Sequence, residues 1–411
     1  MTRVAARNES GALLRTVKYQ VAVLNSHPIQ YFAPFYRLLA TCEEIELTVF
    51  YCSHQGIAPA FEDPGFGRQV VWDVPLLNGY HYRFLRNIGR DHGVRGFFSL
   101  SNLSVIPALS RQRFDAIIIH GHNFLVNLLA IATAKTLGTA VFMRSETHLL
   151  LRRRGLKRAL RAPALRALYG VCDACLYIGT ANRRFYEAHG VPSSRLFFVP
   201  YTVDNAHFGL EPENRAANRE TVLSQLGIPA DATTIVFASK LIGRKRPYDL
   251  LQAYHRLTAE RANVALLIIG EGAEESGLRR MAVDVPNVHF LGFKNQAELP
   301  AYLAAADIFV LPSENEPWGL VINEAMCAGV PVVTTHEVGA ALDLVRSGET
   351  GYLYDAADVS ALADRLRTLV RDPGLRLRMS SNCRRQMARW SYAESMEGLR
   401  AALDALHGGK K

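Results

Sequence analysis

The amino-acid sequence predicts an α/β protein with two doubly wound, parallel-sheet domains that face a central cleft. The chain has 411 residues, which is long for one hydrophobic core and sufficient for two domains of ordinary size. Short β-branched or aromatic runs alternate with amphipathic helical stretches, a pattern typical of parallel sheets covered on both faces. A polar stretch rich in Asn, Glu and Pro, near 203–230, separates two such series.

Each strand is predicted from a short apolar run that ends in a polar or glycine-rich loop. In the first half the predicted strands are QVAVLN (20–25), ELTVFYC (46–52), DAIIIH (115–120), AVFMRS (140–145), ACLYIG (174–179) and LFFVP (196–200). In the second half they are TTIVFAS (233–239), VALLIIG (264–270), VHFLG (288–292), IFVLPS (308–313) and VPVVTT (330–335). Amphipathic helices are expected between most of them, for example at 248–260 and 298–306.

The two series predict two Rossmann-like domains, an N-terminal one at 18–203 and a C-terminal one at 204–385. Residues 386–411 contain a last helix, predicted at 388–408, that has no strand after it and is expected to pack back on the N-terminal domain. Residues 1–17 are polar and rich in small residues, so we expect a disordered leader rather than a secretory signal. No apolar run approaches the roughly 18–20 residues that span a bilayer. We therefore expect the protein in the cytoplasm.

Composition adds a basic excess and scattered thiols. The formal net charge of +9 suits an anionic partner, such as a nucleotide diphosphate, a phosphorylated lipid acceptor, a membrane surface or nucleic acid. Six cysteines without regular spacing indicate a reducing compartment and no disulfide framework. Cys172 and Cys175 form a lone CxxC, expected to be buried core thiols, with redox or metal chemistry as the alternative because a zinc site needs a second ligand pair.

A basic stretch at 151–168, LRRRGLKRALRAPALRAL, interleaves arginine and lysine with leucine and alanine. Such a helix can lie on an anionic membrane, or it can present an ordinary solvated face. The sequence leaves both interpretations open. Nucleic acid is not expected as a partner, because no aromatic stacking platform or known reader motif accompanies the charge.

The segment VLPSENEPWGLVINEAMCAGVPVV (310–333) is the most informative part of the chain. A buried strand is followed by a polar loop and by a helix that opens around Gly319. The free backbone N–H groups of Trp318, Gly319 and Leu320 would form an anion site suited to a pyrophosphate. Glu316 and Glu324 would repel phosphate, so we expect them to accept hydrogen bonds from sugar or ribose hydroxyl groups. The alternative is a solvated loop residue and a favourable charge at a helix N-terminus.

A second cationic loop lies in VFASKLIGRKRPYDLL (236–251), between a strand and a helix. Its basic side chains are suited to neutralising a diphosphate and the charge that develops as it leaves, although an ordinary basic loop is the alternative. Lys240 and Lys245 are the candidates, while Arg244 and Arg246 are expected to be solvated. The Gly-x-Gly that follows at 270–272 is not a full G-x-G-x-x-G, so a nicotinamide fingerprint is not met.

The stretch E-P-W-G-L-V-I-N-E (316–324) resembles the E-G-F-G-L-x-x-x-E signature of family-four glycosyltransferases of the GT-B fold, and the resemblance extends from about residue 20 to about residue 400. It implies that Glu316 contacts the transferred sugar and that Glu324 holds the ribose. Lys240 stands where the family usually has arginine in its phosphate motif, and Lys245 matches the lysine of that motif.

The resemblance also implies roles outside these motifs. Gly292 and Phe293 lie in a segment that resembles the one that holds the nucleotide base through backbone contacts. His120, at the end of a strand, matches a histidine near the sugar and is a catalytic candidate together with Glu316, Lys240 and Lys245. A metal site at His120 and His122 would need a third ligand that the sequence does not provide.

The N-terminal domain is expected to bind the acceptor. His27 and Gln30, in the loop after the first strand, are acceptor-side candidates, although the usual glycine-rich loop of the family is replaced here by Ser26, His27 and Pro28. Arg144, which ends the strand AVFMRS, is a further candidate for the cleft, and Glu146, two residues later, is another.

The residues and the resemblance together imply a transferase with a UDP-, GDP- or ADP-sugar as donor and with a lipid-linked saccharide, a polysaccharide or a small molecule as acceptor. Retention is implied by the resemblance. No Asp-x-Asp motif stands beside a phosphate loop, so neither a metal nor any cofactor is expected. The alternatives are a glycoside hydrolase, which would need no basic diphosphate loop, a non-catalytic nucleotide- or protein-binding member, and an epimerase or phosphorylase of the same architecture.

Overall fold

The computed structural model describes residues 6–7, 13–14, 19–57, 62–63, 65–89, 94, 96–151, 156–260 and 262–408. The strands are β1 Ala6–Arg7, β2 Leu13–Leu14, β3 Tyr19–Asn25, β4 Ile45–Tyr51, β5 Glu62–Asp63, β6 Arg68–Gln69, β7 His81–Phe84, β8 Ala116–His120, β9 Ala140–Arg144, β10 Ala174–Tyr177, β11 Leu196–Phe198, β12 Thr233–Ala238, β13 Val264–Ile269, β14 Val288–Gly292, β15 Ile308–Leu311, β16 Val332–Thr335 and β17 Gly351–Tyr354.

The helices are α1 Ala33–Ala40, α2 Val105–Ser110, α3 Leu125–Thr136, α4 Leu156–Gly170, α5 Thr180–Ala188, α6 Asn205–Phe208, α7 Pro212–Leu226, α8 Pro247–Ala259, α9 Glu275–Met281, α10 Leu299–Ala305, α11 Leu320–Cys327, α12 Ala341–Leu344, α13 Val359–Arg371, α14 Pro373–Met387 and α15 Tyr392–Gly408. Single 3₁₀ turns lie at Ser193–Arg195 and Gly243–Lys245. No described helix has the length and apolar content needed to cross a bilayer.

The N-terminal domain contains a seven-stranded parallel sheet in the order β11-β10-β9-β8-β3-β4-β7. Its central strands are buried on both faces, because helices cover the sheet from both sides. Every strand predicted in the first half of the chain is present. The edge strand β7 was missed because its HYRF sequence is largely exposed and carries no apolar alternation.

The C-terminal domain contains a six-stranded parallel sheet in the order β14-β13-β12-β15-β16-β17. Strands β12 and β13 are buried at every residue, as expected of uninterrupted apolar runs in a parallel sheet. The predicted fold class, two α/β domains with parallel sheets, is therefore confirmed. The edge strand β17 was missed, since it is only four residues long and begins with a glycine.

The strand order reverses between β3 and β8 in one sheet and between β12 and β15 in the other. Ligands of such sheets bind beyond the carboxyl ends of the strands at these switch points. The loops that follow β3, β8, β12 and β15 carry the motif residues of both domains, so the topology brings them to one cleft.

The C-terminal helix α15 packs against β11 of the N-terminal domain so closely that a Cβ on Gly398 would lie 1.7 Å from the carbonyl oxygen of Phe198. The predicted helix at 388–408 begins later, at Tyr392, because Ser391 and Glu394 form a capping box in which the Ser391 amide donates to the Glu394 carboxylate at 2.8 Å. The predicted domain boundaries stay predictions. Within the predicted leader, β1 and β2 pair antiparallel, and the rest of residues 1–17 lies outside the described residues.

Candidate functional site

A cavity of about 460 Å³ lies in the cleft and is lined by both domains. That volume is within the usual range for a small-molecule site, roughly 300–1,000 Å³. Among the residues named from the sequence, those that line it are His27, Gln30, Glu146, Lys240, Arg244, Lys245, Phe293, Glu316, Trp318, Gly319, Leu320 and Glu324. The motifs of the C-terminal domain therefore share one opening with the first loop of the N-terminal domain.

The N-terminus of helix α11 faces this cavity. Gly319 caps the helix with φ of +92°, and a Cβ there would lie 3.1 Å from both Leu311 Cδ2 and Val338 Cγ1. Glycine is required because it tolerates that backbone conformation and leaves room for the close approach. Trp318 contributes only its backbone, because its indole is 2% exposed and donates to Asn323 Oδ1 at 2.9 Å. The first amides of the helix are the groups suited to an anion.

Glu316 is held by two cations of the loop after β12. The ammonium of Lys245 donates to Glu316 Oε2, and Arg244 Nη1 lies 3.3 Å from the same oxygen. The two loops are joined by a hydrogen bond from the Glu314 amide to the Arg244 carbonyl, at 2.9 Å. Burial lowers the pKa of Lys245, and the charge of Glu316 opposes that shift. Arg244 is exposed, as expected, and its guanidinium also contacts Glu316 because the two loops pack together.

Lys240 faces the other domain. Its Nζ lies 2.7 Å from Asp63 Oδ1 and 4.8 Å from the ring centroid of Phe66. Burial would raise the pKa of Asp63, but Lys240 and two backbone amides lower it below its usual value. The Gly-x-Gly turn supports the Lys240 loop, since a Cβ on Gly270 (φ +129°) would lie 1.9 Å from the Ser239 carbonyl oxygen.

Glu324 lies inside helix α11 and is 1% exposed. Burial raises its pKa to about 7, while hydrogen bonding from Tyr31 and Gln296 opposes the shift. Its Oε1 has no hydrogen-bond partner in the described part of the chain. A buried carboxylate oxygen that borders a cavity without a partner is suited to accepting from ligand hydroxyl groups.

The end of the cavity near β14 is aromatic. Phe293 lines it, with its ring centroid 4.9 Å from that of Phe66 and 6.2 Å from that of Trp72. Its amide donates to Glu271 Oε1 at 3.2 Å. Gly292, the last residue of β14, does not line the cavity. The expected backbone contacts of Gly292 and Phe293 with a base stay a prediction.

A second cavity of about 300 Å³ lies on the N-terminal side of the cleft and contains His120 and Arg144. Burial lowers the pKa of His120 well below its usual value, and its Nε2 lies 3.2 Å from the Tyr36 hydroxyl. The Arg144 guanidinium lies 5.7 and 5.8 Å from the ring centroids of Phe32 and Tyr201, which are themselves stacked 5.6 Å apart. His120 and Arg144 are therefore separated from His27 and Gln30, which line the larger cavity with the donor candidates.

His27 lines the larger cavity, where burial lowers its pKa to about 4. It is therefore neutral at physiological pH, with Nδ1 2.9 Å from Ser26 Oγ. His122 lines the smaller cavity, and its Nε2 lies 3.0 Å from Arg161 Nη2. Within the described ranges, no group of three or more His, Cys, Asp or Glu side chains is arranged to hold a metal.

Several side chains of the site were not singled out from the sequence. Tyr201 donates from its hydroxyl to Glu146 Oε1 at 2.7 Å, and His148 Nε2 lies 2.9 Å from the Glu316 carbonyl oxygen. Asp63 lies in a stretch without a clear strand pattern. The polar end of the predicted strand 140–145 was the sequence signal here. It indicated Arg144 and Glu146, and it did not extend to Tyr201, His148 or Asp63.

The CxxC thiols are structural. Cys172 and Cys175 are free and buried, and the Cys172 thiol donates to the Leu168 carbonyl at 3.3 Å. Burial raises the pKa of Cys172 to about 12 and that of Cys175 further. A thiol with a raised pKa is a poor nucleophile and a poor metal ligand, because both functions need the thiolate.

Comparison with known proteins assigns a family to both domains. A model described as "Glycosyl transferase 4-like domain" matches residues 19–202, and one described as "Glycosyl transferases group 1" matches residues 218–386. Among solved structures, Anabaena HepE in complex with UDP superimposes with a TM-score of 0.72 at 16% identity, covering 94% of this chain and 100% of that one. At that identity the likeness shows the fold alone.

Two relatives are mannosyltransferases by name. The GDP-mannose-dependent monoacylated alpha-(1-6)-phosphatidylinositol monomannoside mannosyltransferase of Corynebacterium glutamicum is 34% identical over 56% of this chain and 61% of its own length. A GDP-mannose-dependent alpha-(1-6)-phosphatidylinositol monomannoside mannosyltransferase of Mycolicibacterium smegmatis is 34% identical over 51% of this chain and 56% of its own length. The chain thus matches little more than half the length of these relatives.

Proposed function

We propose that this chain, a glycosyltransferase of the GT-B fold whose two domains each match a glycosyl transferase model, transfers a sugar from a nucleoside diphosphate sugar to a hydroxyl group of an acceptor. One observation carries the proposal. A single cavity between the domains is lined by two lysines, two glutamates and the N-terminus of helix α11. The side chains are those of Lys240, Lys245, Glu316 and Glu324.

The donor occupies the larger cavity in this proposal. The diphosphate binds at the N-terminus of α11, near Lys240 and Lys245, where amides and ammonium groups stabilise the charge that develops as it leaves. Glu324 accepts from the ribose hydroxyls and Glu316 from the transferred sugar. The protein supplies these positive charges itself, and we propose a reaction that needs neither a metal nor a cofactor beyond the donor substrate.

The reaction breaks the bond between the anomeric carbon and the diphosphate oxygen and forms a bond from that carbon to the acceptor oxygen. The acceptor's proton passes to the departing phosphate oxygen. We propose retention of configuration, with the acceptor approaching the same face of the sugar as the leaving group and with no covalent enzyme intermediate. His120 and Arg144 would then lie on the acceptor side, in the smaller cavity.

The identity of the substrates follows from the relatives only as a proposal. Two relatives are named for GDP-mannose and for phosphatidylinositol monomannoside. We propose a UDP-, GDP- or ADP-sugar donor and, as acceptor, a lipid-linked saccharide, a polysaccharide or a small polyhydroxylated molecule. A thermal-shift screen of UDP-, GDP- and ADP-sugars identifies the base first.

We further propose that the N-terminal domain contacts an anionic bilayer on its cytoplasmic side. Phe98 is 70% exposed, and Phe97 accepts from the Leu125 amide at the start of α3. The loop before α3 holds His122, which Arg161 of the basic helix α4 contacts. Residues 152–155, and the side chains of 156–160, lie outside the described residues.

The membrane proposal is tested by sedimentation with lipid vesicles. The protein should sediment with phosphatidylglycerol vesicles but not with phosphatidylcholine vesicles, and a Phe98→Ser variant should bind the former more weakly.

The transferase proposal is tested by measuring nucleoside diphosphate release from UDP-glucose, GDP-mannose and ADP-glucose with and without acceptor. Acceptor-dependent release is expected for one donor. Hydrolysis of a simple glycoside without nucleotide would favour the hydrolase alternative instead. Nucleotide binding without release would favour a non-catalytic binding protein.

A further inference from the structure

Glu146 lies where the two cavities meet. It lines both of them, together with Ile29, Tyr201 and Pro317, and is the only charged side chain in that shared set of described residues. We propose that Glu146 binds the reacting hydroxyl group of the acceptor, and that the smaller cavity is the subsite for the saccharide or polyol that carries this hydroxyl. The inference rests on the transferase function proposed above.

The position of Glu146 is fixed by Tyr201. The tyrosine hydroxyl donates to Oε1 at 2.7 Å, and in the described part of the chain Oε2 has no protein hydrogen-bond partner. The Tyr201 carbonyl accepts from Asn323 Nδ2 at 3.0 Å and from Trp390 Nε1 at 2.9 Å. Since Asn323 belongs to helix α11, Tyr201 connects the carboxylate of one domain to the helix that starts at the proposed diphosphate site.

The Glu146 side chain is exposed, and the space that it faces is that of the two cavities. Burial raises the pKa of Glu146 and the nearby charge of Glu316 adds to the shift, while Tyr201 and Arg144 oppose it. A carboxylate in such a site is a stronger hydrogen-bond acceptor than one in bulk water. With one oxygen held by Tyr201, the other is available to a ligand hydroxyl.

The chemical role that follows is orientation of the nucleophile. A hydroxyl that donates to Glu146 from the smaller cavity turns a lone pair toward the sugar beside Glu316. As the new bond to the anomeric carbon forms, the O–H turns from Glu146 to the departing diphosphate oxygen and gives it the proton, so Glu146 neither gains nor loses a proton over the reaction. Holding the two reactants in this geometry removes part of the entropic barrier.

The test compares Glu146→Gln with Tyr201→Phe and with the control Glu187→Gln. Glu187 is a surface carboxylate of helix α5, paired with Arg183 and remote from both cavities. Nucleoside diphosphate release from UDP-glucose and GDP-mannose is measured with methyl α-D-mannopyranoside or D-inositol 3-phosphate as acceptor. Calorimetry with UDP and GDP measures donor-site occupancy separately.

In Glu146→Gln we expect acceptor-dependent release to fall about tenfold to a hundredfold, as expected for loss of a charged hydrogen bond, with nucleotide affinity unchanged. The loss should appear in the KM for the acceptor as well as in kcat. Tyr201→Phe should show a smaller loss of the same kind, and Glu187→Gln none.

Acceptor-dependent release in Glu146→Gln that stays close to the parent rate would overturn the inference. So would a parallel loss of nucleotide affinity, which would indicate a structural role, or a parent that releases nucleotide equally with and without both acceptors. A parent that binds no nucleotide would instead refute the transferase function itself, and these outcomes are distinguished by the calorimetry.

Discussion

Asp63 of the N-terminal domain accepts two hydrogen bonds from Lys240 of the C-terminal domain, with Nζ 2.7 Å from Oδ1 and 2.8 Å from Oδ2. A second ion pair, between Arg68 and Glu271 at 3.1 Å, crosses the cleft beside it. A cation assigned to the diphosphate is thus paired with a carboxylate of the other domain. An incoming diphosphate must compete with Asp63 for Lys240.

The first prediction concerns this competition. Asp63→Asn should strengthen nucleoside diphosphate binding about two- to fivefold, because it removes a competing anion from a partly exposed ion pair of modest strength. Titration calorimetry measures the effect, and Glu187→Gln serves as a carboxylate-to-amide control away from the cleft. Weaker nucleotide binding in Asp63→Asn would contradict this prediction. It would mean that the Asp63–Lys240 ion pair assists binding by holding the two domains together more than it hinders binding by occupying Lys240.

The second prediction concerns Glu316. Glu316→Gln should reduce transfer at least about a hundredfold, because the amide provides no charge toward the transferred sugar. The variant should remain folded by circular dichroism but less stable, since Lys245 loses its buried counter-ion. Transfer at the parent rate in a folded Glu316→Gln protein would refute the assignment.

The third prediction follows from the raised pKa of Glu324. The folded value of about 7 lies above the ordinary value of 4.5, so the folded state binds more protons than the unfolded state between them. This group's contribution to stability is therefore fully present below about pH 4.5 and is lost as the pH rises through about 7. Glu324→Gln should be more stable than the parent by about 3 kcal/mol at pH 8 and not at pH 4.5. Denaturant unfolding at both pH values measures the free energy of unfolding of the variant and of the parent. The same stability difference at pH 4.5 and pH 8 would contradict the raised pKa of Glu324.

The fourth prediction uses two glycines with the same backbone handedness. Gly319→Ala should lose about 1–2 kcal/mol of stability from its left-handed backbone, and more from crowding against Leu311 and Val338. Because the displaced helix start carries the anion site, nucleotide affinity should fall as well. Gly348→Ala is the matched control, since its φ is +85° and nothing lies within 4 Å of the added Cβ. Gly348→Ala should lose stability but keep its nucleotide affinity. Equal nucleotide affinities in Gly319→Ala and Gly348→Ala would show that the start of α11 does not bind the nucleotide.

Local sequence patterns were sufficient to predict the buried strands of the two large sheets. Every strand predicted from an apolar run is present, because a strand buried on both faces must be apolar at each position. The strands that were missed in the two large sheets, β7 and β17, lie at sheet edges where burial imposes no such pattern. The two-residue strands β1, β2, β5 and β6 were also missed, since they are too short to carry a pattern. The late start of α15 was also readable, since Ser391 and Glu394 have the spacing of a capping box.

The site residues that could be predicted from the sequence are those that lie in a local motif or at the end of a predicted strand. The carboxyl ends of the strands at the switch points meet at the cleft, so Lys240, Lys245, Glu316 and Glu324 converge. The pairing of Lys240 with Asp63 was not predictable from the sequence, because it depends on how the two domains approach each other. His120 and His27 both belong to the N-terminal domain, and the packing of its loops separates them into two cavities.

Calorimetric titration of the full chain with UDP, GDP and ADP tests the central claim most directly. We predict that at least one of them binds with a single site, and that Lys245→Ala weakens this binding about tenfold or more through loss of a charged contact to phosphate. Lys135→Ala is the control, since this lysine pairs with Asp173 on the surface of the N-terminal domain, and it should bind as the parent does. Absence of binding to all three nucleotides, or equal affinity in Lys245→Ala and the parent, would contradict the account.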